Sequence, residues 1–163
     1  MVQTVVFIIL SLVTLGAALA VVTSKNLFHS ALFLILSFVG VASLYVLLEA
    51  PFLAAVQVLV YVGAIAILIV FAIMLTRRLM AEDLVQRNAQ WGWSALGAVL
   101  LFVALGVILF QVNWPVVEAA VPKETISALG QDLMGRYLVP FEVASVLLLV
   151  ALVGSIIIAR ERE

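Results

Sequence analysis

The sequence predicts an all-α integral membrane protein with five transmembrane helices, and three observations carry that prediction. Apolar residues make up 67% of the 163-residue chain and charged residues only 10%, with a mean hydropathy of +1.36. Soluble domains use roughly half apolar and a quarter charged residues. The apolar residues gather into runs at 3–22, 28–48, 52–76, 94–112 and 140–159, each near the roughly 20 residues a helix needs to span about 30 Å of hydrocarbon. Six of the eight basic residues fall into alternate connections between those runs or the C-terminal tail. A formal net charge of −1 supplies no basic field, so nucleic acid is not an expected partner. The chain has no cysteine, which excludes disulfides, thiolate metal sites and cysteine nucleophiles.

The first run has no Lys or Arg before Lys25, so it lacks the charged start of a secretory signal and is read as a retained helix. Gly16 and Ala20 give it a small-residue face for close packing, as Gly40 with Ser37 and Ser43 does for the second run. Only Leu48, Glu49, Ala50 and Pro51 divide the second and third runs. Proline disfavours helix in the residue before it and suits a first helical turn, so a tight helical hairpin is expected. One kinked helix over both runs is far too long for a bilayer. The fourth run lies between Trp91 and Trp93 on one side and Trp114 on the other. That separation is about 30–35 Å along a helix, the distance between two interfacial aromatic belts. The connection 113–139 carries Ile126, Leu129, Leu133, Met134 and Tyr137 at helical spacing among Glu124, Ser127, Gln131 and Asp132. It reads as a short amphipathic stretch, weakened by Gly130, lying in the interface plane or against a partner, or else as an irregular loop. No internal repeat or linker divides the chain, and 1–163 is read as a single membrane domain.

With five spans, one side receives Lys25, Arg77, Arg78, Arg87, Arg160 and Arg162, and the other only Lys123 and Arg136. The positive-inside rule then puts the N-terminus outside, the C-terminus in the cytoplasm and the 113–139 loop on the outer side. For a bacterial chain this means a multi-pass protein of the inner (plasma) membrane.

Catalytic chemistry has little to work with. His29 is the single histidine, so a metal or haem ligand set is not expected and an interfacial or capping role is. Ser11, Thr14, Ser30, Ser37, Ser43, Ser145 and Ser155 have no partner base in the pattern, and read as packing residues. Glu49 closes the second span and Glu142 opens the fifth after Pro140. Each reads either as a capping or interfacial carboxylate or as part of a proton path. No acid falls at the centre of a span, so this chain cannot build a complete proton path alone.

The third span, within 51–78, is the unusual one. Gln57 and Tyr61 lie four residues apart and share a helical face, and a polar face at membrane depth must meet protein or water. At about 100° per residue, Ala64 joins that stripe while Gly63 and Ala66 fall on the other side. Gly63 weakens an α-helix and marks a place for a kink or π-bulge. Two readings stand: a Gln and a Tyr satisfied by neighbouring helices, or a gate in which the Tyr61 hydroxyl orders water.

These residues also carry a resemblance. The segment APFLAAVQVLVYVGAIAILIVFAIML at 50–75 resembles the third transmembrane helix of subunit J of NADH-quinone oxidoreductase, respiratory complex I, the family of mitochondrial NADH dehydrogenase subunit 6. KNLFHSALFLILSFVGVASLYVLLEA at 25–50 is similar to its second helix, and GRYLVPFEVASVLLLVALVGSIIIAR at 135–160 to its last. Together with the N-terminal portion the likeness covers roughly three quarters of the chain, while 79–134 matches poorly.

The resemblance implies a core membrane subunit of an enzyme that couples electron transfer from NADH to quinone with proton translocation. It implies no catalytic residue, metal or cofactor in this chain, with FMN, iron-sulfur clusters and quinone held by other subunits. It implies contact with a small glutamate-bearing subunit, the quinone-proximal subunit, antiporter-like subunits and the lipid bilayer. Tyr61, Val62 and Gly63 match the place of a bulge in the third helix that opens or closes a water path. Pro140, Phe141 and Glu142 match the start of the last helix. Membrane-bound hydrogenases and multisubunit cation antiporters share this kind of module, and a purely structural packing subunit is the remaining alternative.

Overall fold

A computed structural model of the chain describes residues 2–76, 90–112 and 125–160. These form six helices and, among the described residues, no strand: α1 (Val2–Thr23), α2 (Leu27–Leu47), α3 (Pro51–Leu75), α4 (Trp91–Gln111), α5 (Thr125–Met134) and α6 (Leu138–Ala159). All but α5 are long and apolar enough to cross a membrane. The chain divides into two compact units, residues 1–112 and 113–163.

In the first unit α2 packs against both α1 and α3. The turn into α2 is capped by Asn26, whose side-chain oxygen accepts from the backbone N–H groups of Phe28 at 2.9 Å and His29 at 3.4 Å. Capping here is thus the work of Asn26, and the His29 ring stands edge-on to Phe28, with centroids 6.3 Å apart.

The α2–α3 hairpin ends α2 in a Schellman arrangement. The Ala50 N–H donates to Tyr45 O at 2.9 Å and the Glu49 N–H to Val46 O at 3.1 Å, around Glu49 at φ 58°. Glu49 is the described non-glycine residue with positive φ, in the left-handed region that favours glycine. Pro51 then takes the first position of α3, where a missing N–H leaves no helical bond unmade.

The buried residues are nearly all small: Thr14 and Ala17 on α1, Ala31, Gly40 and Ala42 on α2, Ala54 and Ala66 on α3. Apolar bulk gains nothing by leaving lipid, so close backbone approach and dispersion hold such helices together. At the α1–α2 crossing, a Cβ on Gly40 would overlap the Thr14 hydroxyl, which itself donates to Leu10 O at 2.7 Å. The packing of α1 on α2 does not run through Gly16. Gly16 meets open space, because the packed stripe of α1 runs through Thr14 and Ala17.

Helix α4 begins at Trp91, so Trp91 and Trp93 lie in its first turn rather than ahead of it. The expected second belt at Trp114, the loop residues 113–124, and the charges at Arg77, Arg78, Arg87, Lys123 and Arg162 lie outside the described residues.

In the second unit α5 runs straight through Gly130, and Thr125, Leu129 and Leu133, four apart, are its least exposed positions. Ile126, Met134 and Tyr137 stay exposed, so the packed stripe is narrower than the spacing suggested. The turn into α6 is closed by the Tyr137 N–H donating to Asp132 O at 2.8 Å, with the Arg136 guanidinium 5.8 Å from the Tyr137 ring centre.

Candidate functional site

The middle of α3 is not an α-helix. Residues Pro51–Val56 and Ile67–Leu75 wind normally, but Gln57–Ala66 form a π-helix with i→i+5 bonding. Most π segments are a single turn, whereas this one covers ten residues. At its start the Gln57 N–H turns to Ala54 O and Leu53 O, and after its end the Ile67 N–H turns to Ala64 O.

The local sequence, QVLVYVGAIA, explains part of this. Val58, Val60, Val62 and Ile65 are β-branched and crowd the i, i+3 and i+4 neighbours of an α-helix. Gly63 carries no Cβ to resist a change in winding. A Cβ built there would lie 3.4 Å from the carbonyl oxygen of Val58, five residues back. That is ordinary contact, so glycine is not sterically required in this form.

Packing against α2 explains the rest. Gln57 is 7% exposed and Ala66 1% exposed, and among the described residues Gln57 is the one long polar side chain that is buried. Nine steps of about 100° would put Ala66 half a turn from Gln57, facing away. Nine steps of about 82°, the winding of an i→i+5 helix at about 4.4 residues per turn, amount to two turns and about 18°. The π form therefore lays Gln57 and Ala66 on one stripe. The expectation that Ala66 opposes Gln57 fails because it extended α-helical winding through a segment that does not have it.

Tyr61 lies four steps beyond Gln57, about 40° to one side of it in the α winding and about 32° to the other side in the π winding. Its ring meets Phe38 of α2 edge-on, with centroids 5.5 Å apart and planes at 73°. The residue is 42% exposed. On α2, Ala42 is buried as well, and it shares a face with Phe38 by the i, i+4 rule. Gly40, two residues or about 200° from Phe38, serves the opposite contact with α1.

The structure thus brings Tyr61 to Phe38, with Gln57, Val62 and Gly63 inside the same π segment as Tyr61. Of the singled-out carboxylates, the one in the first unit, Glu49, falls outside this segment. Glu49 is exposed at the hairpin turn, in the first unit, and Glu142 is exposed on α6, in the second. Glu142 is not in a first turn: α6 starts at Leu138, so Pro140 is its third residue and Glu142 its fifth. A capping role loses its basis, since the dipole effect fades beyond the first turn. The Ser145 hydroxyl donates to the Glu142 carbonyl at 2.7 Å, a helix-internal bond.

Phe38 was not among the residues the sequence marked out. A Phe within an apolar span gives no compositional signal, yet the hairpin offered one. Phe38 stands eleven residues before Glu49 and Tyr61 eleven after Ala50, so folding at that turn sets them side by side.

Among the described residues no three of His, Cys, Asp and Glu come together. What the arrangement can do is conformational: it offers a polar and aromatic stripe on a helix whose winding departs from the α form.

The sequence is similar to known proteins over nearly its whole length. The chain is 40% identical over 163 residues to NAD(P)H-quinone oxidoreductase chain 6 of Synechocystis, covering 98% of this chain and 81% of the relative. It is 41% identical to F(420)H(2) dehydrogenase subunit J of Methanosarcina mazei, covering 97% of this chain and 91% of the relative. It is 39% identical to the chloroplastic NAD(P)H-quinone oxidoreductase subunit 6 of Zygnema circumcarinatum, covering 99% and 94%. The family model for NADH-ubiquinone/plastoquinone oxidoreductase chain 6 matches residues 17–158, and the chain belongs to that family, the subunit J or chain 6 of complex I-type membrane enzymes.

Proposed function

We propose that this subunit helps to couple quinone reduction, carried out elsewhere in the complex, to proton pumping, and that α3 is its moving part. The observation that carries the reading is the ten-residue π segment Gln57–Ala66 in an otherwise α-helical span. Such a segment has a ready alternative, the α form, and a helix with two windings is a two-state element.

The geometry of the exchange follows from the two windings. With Pro51–Val56 held in place, passage from π to α turns Tyr61 by about 70° and Ala66 by about 160° about the helix axis, and lengthens the segment by about 3 Å. Ala66 leaves the α2 face and Tyr61 leaves Phe38. The Tyr61 hydroxyl, able to donate and accept, then orders water in one form and not in the other. The charges that such water connects belong to neighbouring subunits, since no acid lies at the centre of a span here.

The partners in this reading are a small glutamate-bearing subunit, the quinone-proximal subunit and antiporter-like subunits. The chain itself is non-catalytic. FMN, iron-sulfur clusters and quinone are assigned to other subunits, in keeping with a sequence that has no cysteine to hold a cluster. NADH is the proposed donor. One relative carries the name F(420)H(2) dehydrogenase subunit J, which fits a reading in which other subunits set the donor. In this reading the membrane is a bacterial inner membrane, and the distribution of basic residues supports an N-terminus outside and a C-terminus in the cytoplasm.

Gly63→Leu in the assembled enzyme tests the reading. Leucine puts a bulky side chain on the segment that must turn when the winding changes and removes the freedom glycine gives it, so protons pumped per electron should fall while the complex still assembles. Unchanged pumping together with unchanged oxidoreductase turnover contradicts gating. Loss of assembly instead points to a packing subunit.

A further inference from the structure

We infer that Phe38 of α2 is the positioning residue that holds α3 in its π form, acting as a latch on the Tyr61 ring. This rests on the two-state reading of α3 and names what biases it. The Phe38 and Tyr61 rings meet at 5.5 Å and 73°, within the distance and tilt of a favourable edge-to-face pair. The contact is selective between the two windings. A turn of about 70° at Tyr61 moves a ring some 6 Å from the helix axis by about 7 Å, farther than the whole centroid separation.

The small residues beside this pair cannot do the same work. Ala66 is 1% exposed and Ala42 5% exposed, and they let the helices approach without discriminating strongly, since alanine fits at a packed or an open position. Gln57 belongs to the start of the segment and turns little when Pro51–Val56 is held, so it reports the hairpin contact rather than the winding. Phe38 is the large side chain of α2 whose ring contact on α3 is made in the π winding, and the turn worked out above would break it.

The ring matters to this latch and the hydroxyl does not. That distinction separates failure of the latch from failure of the gate. Tyr61→Phe keeps the ring pair and should leave the balance of π and α forms as in the parent, while weakening coupling if the hydroxyl orders water. Phe38→Leu removes the ring pair and should move the balance even though no group of the water path is touched.

The experiment is single-particle imaging of the purified complex, with residues 57–66 classified as π or α in the parent, Phe38→Leu, Tyr61→Phe and Tyr61→Leu. The ratio of π to α should fall about fivefold in Phe38→Leu, the effect of losing one aromatic pair. It should fall similarly in Tyr61→Leu and stay at the parent value in Tyr61→Phe. Phe38→Leu with Tyr61→Leu together should fall no further than either alone, because one contact is lost only once. A parent-like ratio in Phe38→Leu overturns the latch. Where Phe38→Leu does not assemble, Tyr61→Leu is held to the same criterion. A fall in the ratio with pumping unchanged sustains the latch and defeats the gate.

Discussion

Gly40→Ala is expected to loosen the first unit without disturbing the π segment. A Cβ at position 40 would overlap the Thr14 hydroxyl oxygen and lie 3.0 Å from Thr14 Cβ and 3.3 Å from its Cα. The hydroxyl is committed to Leu10 O at 2.7 Å and sits on a helix whose backbone would have to move with it. Ordinary contact for a Cβ begins at 3.4 Å, so α1 and α2 must part by several tenths of an ångström along the crossing. Overpacking of this kind costs about 1–3 kcal/mol. Thr14→Ala should recover part of the loss by removing the nearest atom, and Thr14→Gly more, since only the 3.3 Å contact remains.

The assay is the midpoint temperature at which the purified complex releases this subunit, measured across the double-mutant cycle. A lowered midpoint for Gly40→Ala is expected, with coupling to Thr14 of about 1 kcal/mol. Because Gly40 and Phe38 lie on opposed sides of α2, the winding of α3 should be unaffected. Strictly additive effects at Gly40 and Thr14, or no loss at all, refute the crossing as described.

Other substitutions separate the remaining parts of the account. Ala66→Leu adds bulk to a position 1% exposed in the π form and should favour the α form by about 1–3 kcal/mol, read as a majority of α-wound particles; an unchanged winding counts against the arithmetic of the two forms. Glu49→Gly places the residue that the left-handed region favours at φ 58° and should raise the release midpoint, by an amount matching about 1 kcal/mol. A lowered midpoint there means that the carboxylate has a stabilising partner in the assembly. Glu142→Gln should leave stability near the parent value, because the carboxylate lies beyond the first turn of α6; a fall in pumping with stability intact restores Glu142 to the proton path.

How much of this was legible beforehand varies by element. Hydropathy located the spans to within about three residues, since a bilayer demands long apolar stretches and leaves little freedom. The hairpin followed from Pro51, whose effect on its neighbour is local. The packed glycine was harder. Gly16 and Gly40 look alike in sequence, and only the position of Thr14 on the opposite helix makes one a crossing point.

The candidate site was read in part. Gln57, Tyr61 and Gly63 stood out because polar and flexible residues are rare in such a span, and all fall in the π segment. Its length and the side taken by Ala66 were not legible, because helical wheels assume one winding and the departure depends on packing against α2. Phe38 was hidden by composition, although the hairpin register pointed to it. Glu142 was placed one turn too early because proline normally opens a helix, and here two residues precede it.

The claim that α3 changes its winding during turnover is tested most directly by imaging the complex at rest and while it oxidises its donor with quinone present. Residues 57–66 should show i→i+5 and i→i+4 bonding in proportions that differ between the two conditions, with the Tyr61 ring off Phe38 in the α form. The same π winding in every particle under both conditions contradicts it.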